Sequence, residues 1–98
     1  MNDQEIEKEI QEKGLTAPRV TPESIEAKIK SEQYYVFPGT TFTSCLLHLS
    51  NGFTVHGESA CASPENFDQD LGRKIARDNA KNKIWMLEGY LLKEKLSE

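Results

Sequence analysis

With 98 residues, 37% of them hydrophobic and 29% charged, the chain is one domain's worth of sequence. It can bury only about two-thirds of its unfolded surface, so its single core is modest and a subunit that completes it by self-association fits the composition. The net charge of −4 argues against a general nucleic-acid binder, which must neutralise phosphates.

Asp3 to Lys13 is charged, with Ile6 and Ile10 four apart and Gly14 where a helix C-cap belongs. Two apolar residues make a marginal helix in water, so this segment reads as a frayed arm or a helix that docks on something. Leu15 to Val20 is a linker, because Pro18 disfavours helix before it. Thr21-Pro22 then supplies an N-cap followed by proline at the first helical position, and Ile25 and Ile29 place a second short helix over 23–32.

Tyr34-Tyr35-Val36-Phe37 is aromatic and β-branched and ends at Pro38-Gly39, which predicts a short strand. Residues 40–49 and 53–59 form the clearest hairpin, turning at Asn51-Gly52. A two-residue loop sets Ser50 opposite Phe53, His48 opposite Val55, Leu47 opposite His56 and Cys45 opposite Glu58. Alternation then puts Phe42, Leu46, His48, Phe53 and Val55 on one face and Cys45, Leu47, Leu49, His56 and Glu58 on the other. With apolar residues on both faces, one helix cannot cover the sheet.

Ser63-Pro64 repeats the cap-plus-proline start, and a helix is expected from about Asp68 to Lys95. Leu71, Ile75, Trp85 and Met86 fall on one side of it, and Ala76, Ala80, Ile84, Leu87 and Leu91 on another, so it packs its own sheet and something else. Gly89 inside this helix costs about 1 kcal/mol against alanine, which suggests close approach by another element. Tyr90 beside it reads as a packed ring with a satisfied hydroxyl. The expected architecture is α+β: a short antiparallel β-meander packed on a long C-terminal helix, preceded by short helices. Residues 1–20 form an arm and linker, and 21–98 a single domain.

Lys74, Arg77 and Lys81 line one face of the long helix with Arg73 beside them. Such a stripe can hold phosphate oxygens, Arg through paired N–H groups and Lys as a point charge. The plainer reading is a solvated face with partners such as Asp70 and Asp78. Glu58 near its strand end suits pairing with Arg73 or contact with a ligand. Cys45, His56 and Glu58 on one face, with Cys61 nearby, carry the residue types of a zinc site or a nucleophile–base set. Their spacing fits no zinc signature, and a buried thiol among packed strand residues is the more economical account. The six glycines are scattered rather than gathered into a phosphate loop, and no catalytic motif stands out, so no enzyme, cofactor or metal is expected.

Several stretches together carry a resemblance: Gly57-Glu58-Ser59-Ala60-Cys61, Asn66-Phe67-Asp68, Gly72, Arg73 to Arg77, Asn79 to Lys83 and Trp85 to Leu92. They resemble a family of small tailed-phage proteins grouped under gene product 49 of one phage and gene 66 of another. The resemblance covers the C-terminal half, from Gly52, and leaves the first 30 residues outside. It implies an accessory product made in a bacterial cytoplasm, a placement matched by the absence of a membrane-length apolar run and by an acidic start without a signal peptide. In that compartment Cys45 and Cys61 read as free thiols.

Phage accessory proteins of this size include oligomeric sponges that sequester nucleotide signals of bacterial immunity, an analogy of class only. Three functions compete. The first is non-enzymatic capture of a small anionic nucleotide by Tyr34, Glu58, Arg73, Lys74, Arg77 and Lys81, in a homo-oligomer. The second is an inhibitor or adaptor docking on a host protein through the N-terminal helices. The third, a small cysteine enzyme, rests on the Cys–His face alone.

Overall fold

The computed structural model describes residues 3–98; Met1 and Asn2, the start of the expected arm, lie outside it. The architecture is α+β, as expected: two short helices, a three-stranded antiparallel sheet of order β1-β2-β3, and one long C-terminal helix.

The first helix, α1 (Asp3–Glu12), ends at Gly14, whose φ of +68° is the left-handed stop glycine tolerates best. Gly14 N–H donates to Gln11 O and Leu15 N–H to Ile10 O, which satisfies two of the helix's orphan carbonyls. Far from fraying, α1 is docked. Glu7 is buried at 5% exposure against Arg19 of the linker, and the Trp85 indole N–H donates to Asp3 at 3.1 Å.

The second helix, α2 (Pro22–Lys28), starts with a reciprocal cap in which Ser24 N–H donates to Thr21 Oγ1 and Thr21 N–H to Ser24 Oγ. It stops four residues short of the predicted end at 32. Ile29 is extended (φ −85°, ψ 116°) and opens β1 (Ile29–Val36), which pairs with Leu49 through to Thr43 of β2 (Phe42–Leu49). Four-residue spacing of Ile25 and Ile29 suits a helix, but pairing with the central strand decides otherwise. Lys30 is the extra residue of a bulge on this edge strand.

The turn between β2 and β3 (Thr54–Ala60) corrects the predicted register by one residue. Leu49 N–H donates to Phe53 O and Gly52 N–H to Leu49 O, which makes a three-residue loop, Ser50-Asn51-Gly52. Only Gly52 has positive φ (+93°); Asn51 does not, so this is not the two-residue turn that needs both. Leu47 therefore faces Val55, Cys45 faces Gly57 and Ser44 faces Glu58. A slip of one inverts β3. Val55 and Gly57 join Thr43, Cys45, Leu47 and Leu49 on the buried face, while His56 and Glu58 turn outward beside Leu46 and His48.

After a 3-10 turn at Pro64–Asn66, the helix α3 (Gln69–Leu96) is capped by Asp68, which accepts from Leu71 N–H; Ser63 makes no such bond. Its stripe Ala76, Ala80 and Ile84 lies fully buried on the sheet with Ile25, Cys45, Leu47, Leu49 and Val55. Small residues bring helix and sheet unusually close at Gly57, where a Cβ would sit 2.8 Å from Ala80 Cα. Thr43 Oγ1, in the same layer, is buried without a hydrogen-bond partner among the described residues.

Twenty-eight residues of α-helix span about 42 Å, well beyond the sheet. Past Ile84 the same stripe continues uncovered at Leu87 and Leu91. No other element lies within 4 Å of where a Gly89 Cβ would sit, and Tyr90 is exposed rather than packed. The outer sheet face is also open, carrying Leu46 and an edge-to-face row Tyr35–Phe37–Phe42. Among the described residues no helix is long and apolar enough to cross a membrane.

Candidate functional site

Positions 73, 77 and 81 recur along one flank of α3, and the fold turns that flank towards α2 and β1. There Arg77 is clamped. Its two terminal nitrogens donate to both carboxylate oxygens of Glu26 at 3.0 Å, and its Nε donates to Glu32 at 2.7 Å. These bonds raise the Arg77 pKa, with burial opposing them, and lower that of Glu26. Lys81 Nζ lies 3.9 Å from oxygens of Asp3, Glu26 and Asp78. Arg77 and Lys81 thus tie α3 to the N-terminal elements.

Arg73 is placed differently. Its guanidinium carbon sits 5.5 Å from the centre of the Tyr34 ring. The Tyr34 hydroxyl donates to Glu32 at 3.1 Å, and burial together with that carboxylate pushes its pKa up to about 12. Neither Arg73 nor its neighbour Lys74 has a carboxylate partner within 4 Å among the described residues; the expected Asp70–Lys74 pair does not form.

Glu58 is not part of this cluster. It lies across α3 at the β3 edge, where its carbonyl accepts from Asn79 Nδ2 at 2.8 Å. The hollow beside it, about 270 Å³, is lined by His56, Gly57, Asn79 and Lys83. Of the six residues proposed from sequence, the structure brings together Tyr34, Arg73, Arg77 and Lys81, leaves Lys74 exposed next to them and separates Glu58. Glu26 and Glu32 were missed. Glu32 points at the helix only because β1 begins at Ile29, three residues before the predicted helix would have ended.

The Cys–His face is overturned by the same register. Cys45 lies buried beneath α3, and burial pushes its thiol pKa up. His56 points outward to Ser44 Oγ at 2.6 Å, on the same face as His48, which meets Gln33 at 2.6 Å. Cys61 is half-buried and donates to Ser63 O at 3.1 Å. It opens on an apolar pocket of about 230 Å³ between the β3 end and Phe67, Leu71 and Ile75. No group of three His, Cys, Asp or Glu side chains among the described residues is arranged to hold a metal ion.

The docked arm supplies a pH prediction. Hydrogen bonds from Arg19 above all, and from Gln11 second, hold the Glu7 carboxyl at about 2. A folded pKa below the unfolded one gives stability that is complete above about pH 4.5 and lost as pH falls towards 2. Acidification through that window should release α1 and change Trp85 emission before α3 helicity falls. Glu7→Gln should show the released emission at neutral pH and no transition there; a wild-type profile in that variant would refute the assignment.

In comparison with known families the chain matches the family described as phage protein (N4 Gp49/phage Sf6 gene 66), over residues 20–96. The matched region takes in α2, all three strands and the whole of α3. It reaches further towards the N-terminus than the resemblance read from sequence and leaves outside it α1 and the linker as far as Arg19. No curated protein and no solved structure matches the chain.

Proposed function

This chain belongs to the phage protein (N4 Gp49/phage Sf6 gene 66) family, and we propose that it serves as an accessory protein of host takeover or anti-defence. In this reading it acts in the host cytoplasm by stoichiometric capture of a small anionic, nucleotide-type ligand, without turnover. The observation that supports it is Arg73, a cation over the Tyr34 ring whose N–H groups are not engaged by any carboxylate among the described residues. A base can stack on the guanidinium plane while phosphate oxygens meet the N–H edge and the neighbouring Lys74. Arg77, already clamped by two carboxylates, orders the cluster instead of meeting the ligand.

Calorimetry against cyclic di- and trinucleotides and ADP-ribose derivatives is the direct test. Arg73→Ala should weaken binding by about 1.5–3 kcal/mol, the worth of a charge-assisted hydrogen bond, with the fold intact. Arg77→Ala should instead cost about 1 kcal/mol of stability, the modest value expected of ion pairs that water still reaches. No binding by any of these compounds would overturn the reading.

The second reading, an adaptor that docks on a host protein through the N-terminal helices, draws on one observation. An apolar crevice of about 270 Å³ beneath α1 is lined by Ile6, Ile10, Val20, Pro22 and Trp85, and its α1 wall, Ile6 and Ile10, lies outside the family region. Ile6→Asp should abolish recovery of such a protein while leaving nucleotide binding unchanged.

A further inference from the structure

The overhanging half of α3 carries a patch whose charges complement its own two-fold image. Met86 and Tyr90 are 70% and 71% exposed, and Leu87 and Leu91 are 41% and 48% exposed. On a helical projection Leu87 and Leu91 continue the flank that Ala76, Ala80 and Ile84 press on the sheet, and Tyr90 and Met86 adjoin that stripe along one edge. Lys83 bounds the stripe at one end and Glu94 at the other. They are about three turns apart and so lie on nearly the same line of the helix. Both are exposed, and neither has an ion-pair partner among the described residues.

We propose that α3 pairs antiparallel with α3 of a second copy of this chain, about a two-fold axis between Glu88 and Gly89. That axis sets Lys83 of each copy opposite Glu94 of the other and Leu87 opposite Tyr90, with Met86 and Leu91 on the two edges of the contact. Isologous pairing is the common form of a homodimer, because one self-complementary patch serves both subunits. Here the apolar centre and its oppositely charged ends satisfy that condition in a single register. A parallel pairing would put Lys83 beside Lys83 and Glu94 beside Glu94. Four apolar side chains per copy make a small interface beside the ~800 Å² per partner of a standard one, so the dimer is expected at micromolar concentration rather than nanomolar.

Reversal of charge tests the register. Lys83→Glu places like charges opposite one another at two symmetric positions, and so does Glu94→Lys. Each single variant should raise the dimer dissociation constant by about tenfold in sedimentation equilibrium, since two exposed pairs change from attraction to repulsion. The double variant, K83E with E94K, restores opposite charges and should return the constant to near the wild-type value. Both positions are exposed, so circular dichroism should show all three variants folded. A wild-type protein that stays monomeric at hundreds of micromolar would overturn the proposal. A dimer indifferent to both single reversals would overturn it equally, placing the interface elsewhere, for instance on the open sheet face.

Discussion

Gly57→Ala is expected to lose about 3 kcal/mol of stability or more, although it adds a single methyl group. The residue sits mid-strand where the α3 backbone comes directly against the sheet. A Cβ there would overlap Ala76 O and Ala80 N and approach Ala80 Cα to 2.8 Å. Overpacking a core costs about 1–3 kcal/mol when side chains can rotate away. Here the opposing atoms belong to a helical turn with buried alanines on either side, so the whole of α3 must lift. A domain of this size has roughly 5–15 kcal/mol in hand, so the variant should fold with a melting temperature at least about 12 °C lower. Gly57→Val should fail to fold. Urea titration of the alanine variant is the measurement, and a loss below about 1 kcal/mol would show that helix and sheet are not held this close.

The second large effect separates two residues on the same stripe. Ile84 is fully buried, the last residue of α3 that is. Ile84→Ala should cost about 2–5 kcal/mol, the lost transfer energy together with the cavity left behind. Leu87, one turn further on, has left the sheet, and Leu87→Ala should cost less than about 1 kcal/mol in dilute solution, where the chain is monomeric. At higher concentration the order of interest inverts. Leu87→Ala should then weaken α3–α3 pairing, whereas Ile84→Ala acts through stability alone. Equal losses at the two positions in dilute protein would mean that the end of α3 is covered within the monomer.

The distribution of charge on α3 explains why one stripe gives two kinds of residue. Arg73, Arg77 and Lys81 have the same spacing and chemistry, yet Arg77 meets Glu26 and Glu32 while Arg73 meets an aromatic ring. Their roles diverge because β1 and α2 present different groups along the flank. For the same reason Arg77→Ala is expected to report on stability, and Arg73→Ala on ligand.

Local chemistry settled the elements themselves. Thr21-Pro22, Gly14, Pro38-Gly39 and the long apolar periodicity after Asp68 each act over a few residues, through caps, positive φ and helical repeat. They were legible in the sequence, and so were the α+β class and the alternation within β2. Three features depended on tertiary contact. The strand character of residues 29–32 came from pairing with β2, because an edge strand with polar side chains has no apolar alternation to read. The register of the β2–β3 hairpin turned on whether Asn51 adopts positive φ; it does not, and the one-residue difference carried His56 and Glu58 to the outer face. The partners of the basic stripe followed from that same strand start, which aimed Glu32 at Arg77. Short-range steric preferences in this chain fixed where the helices begin and where α1 ends. Which side chains meet across elements depended on packing that no local spacing encodes.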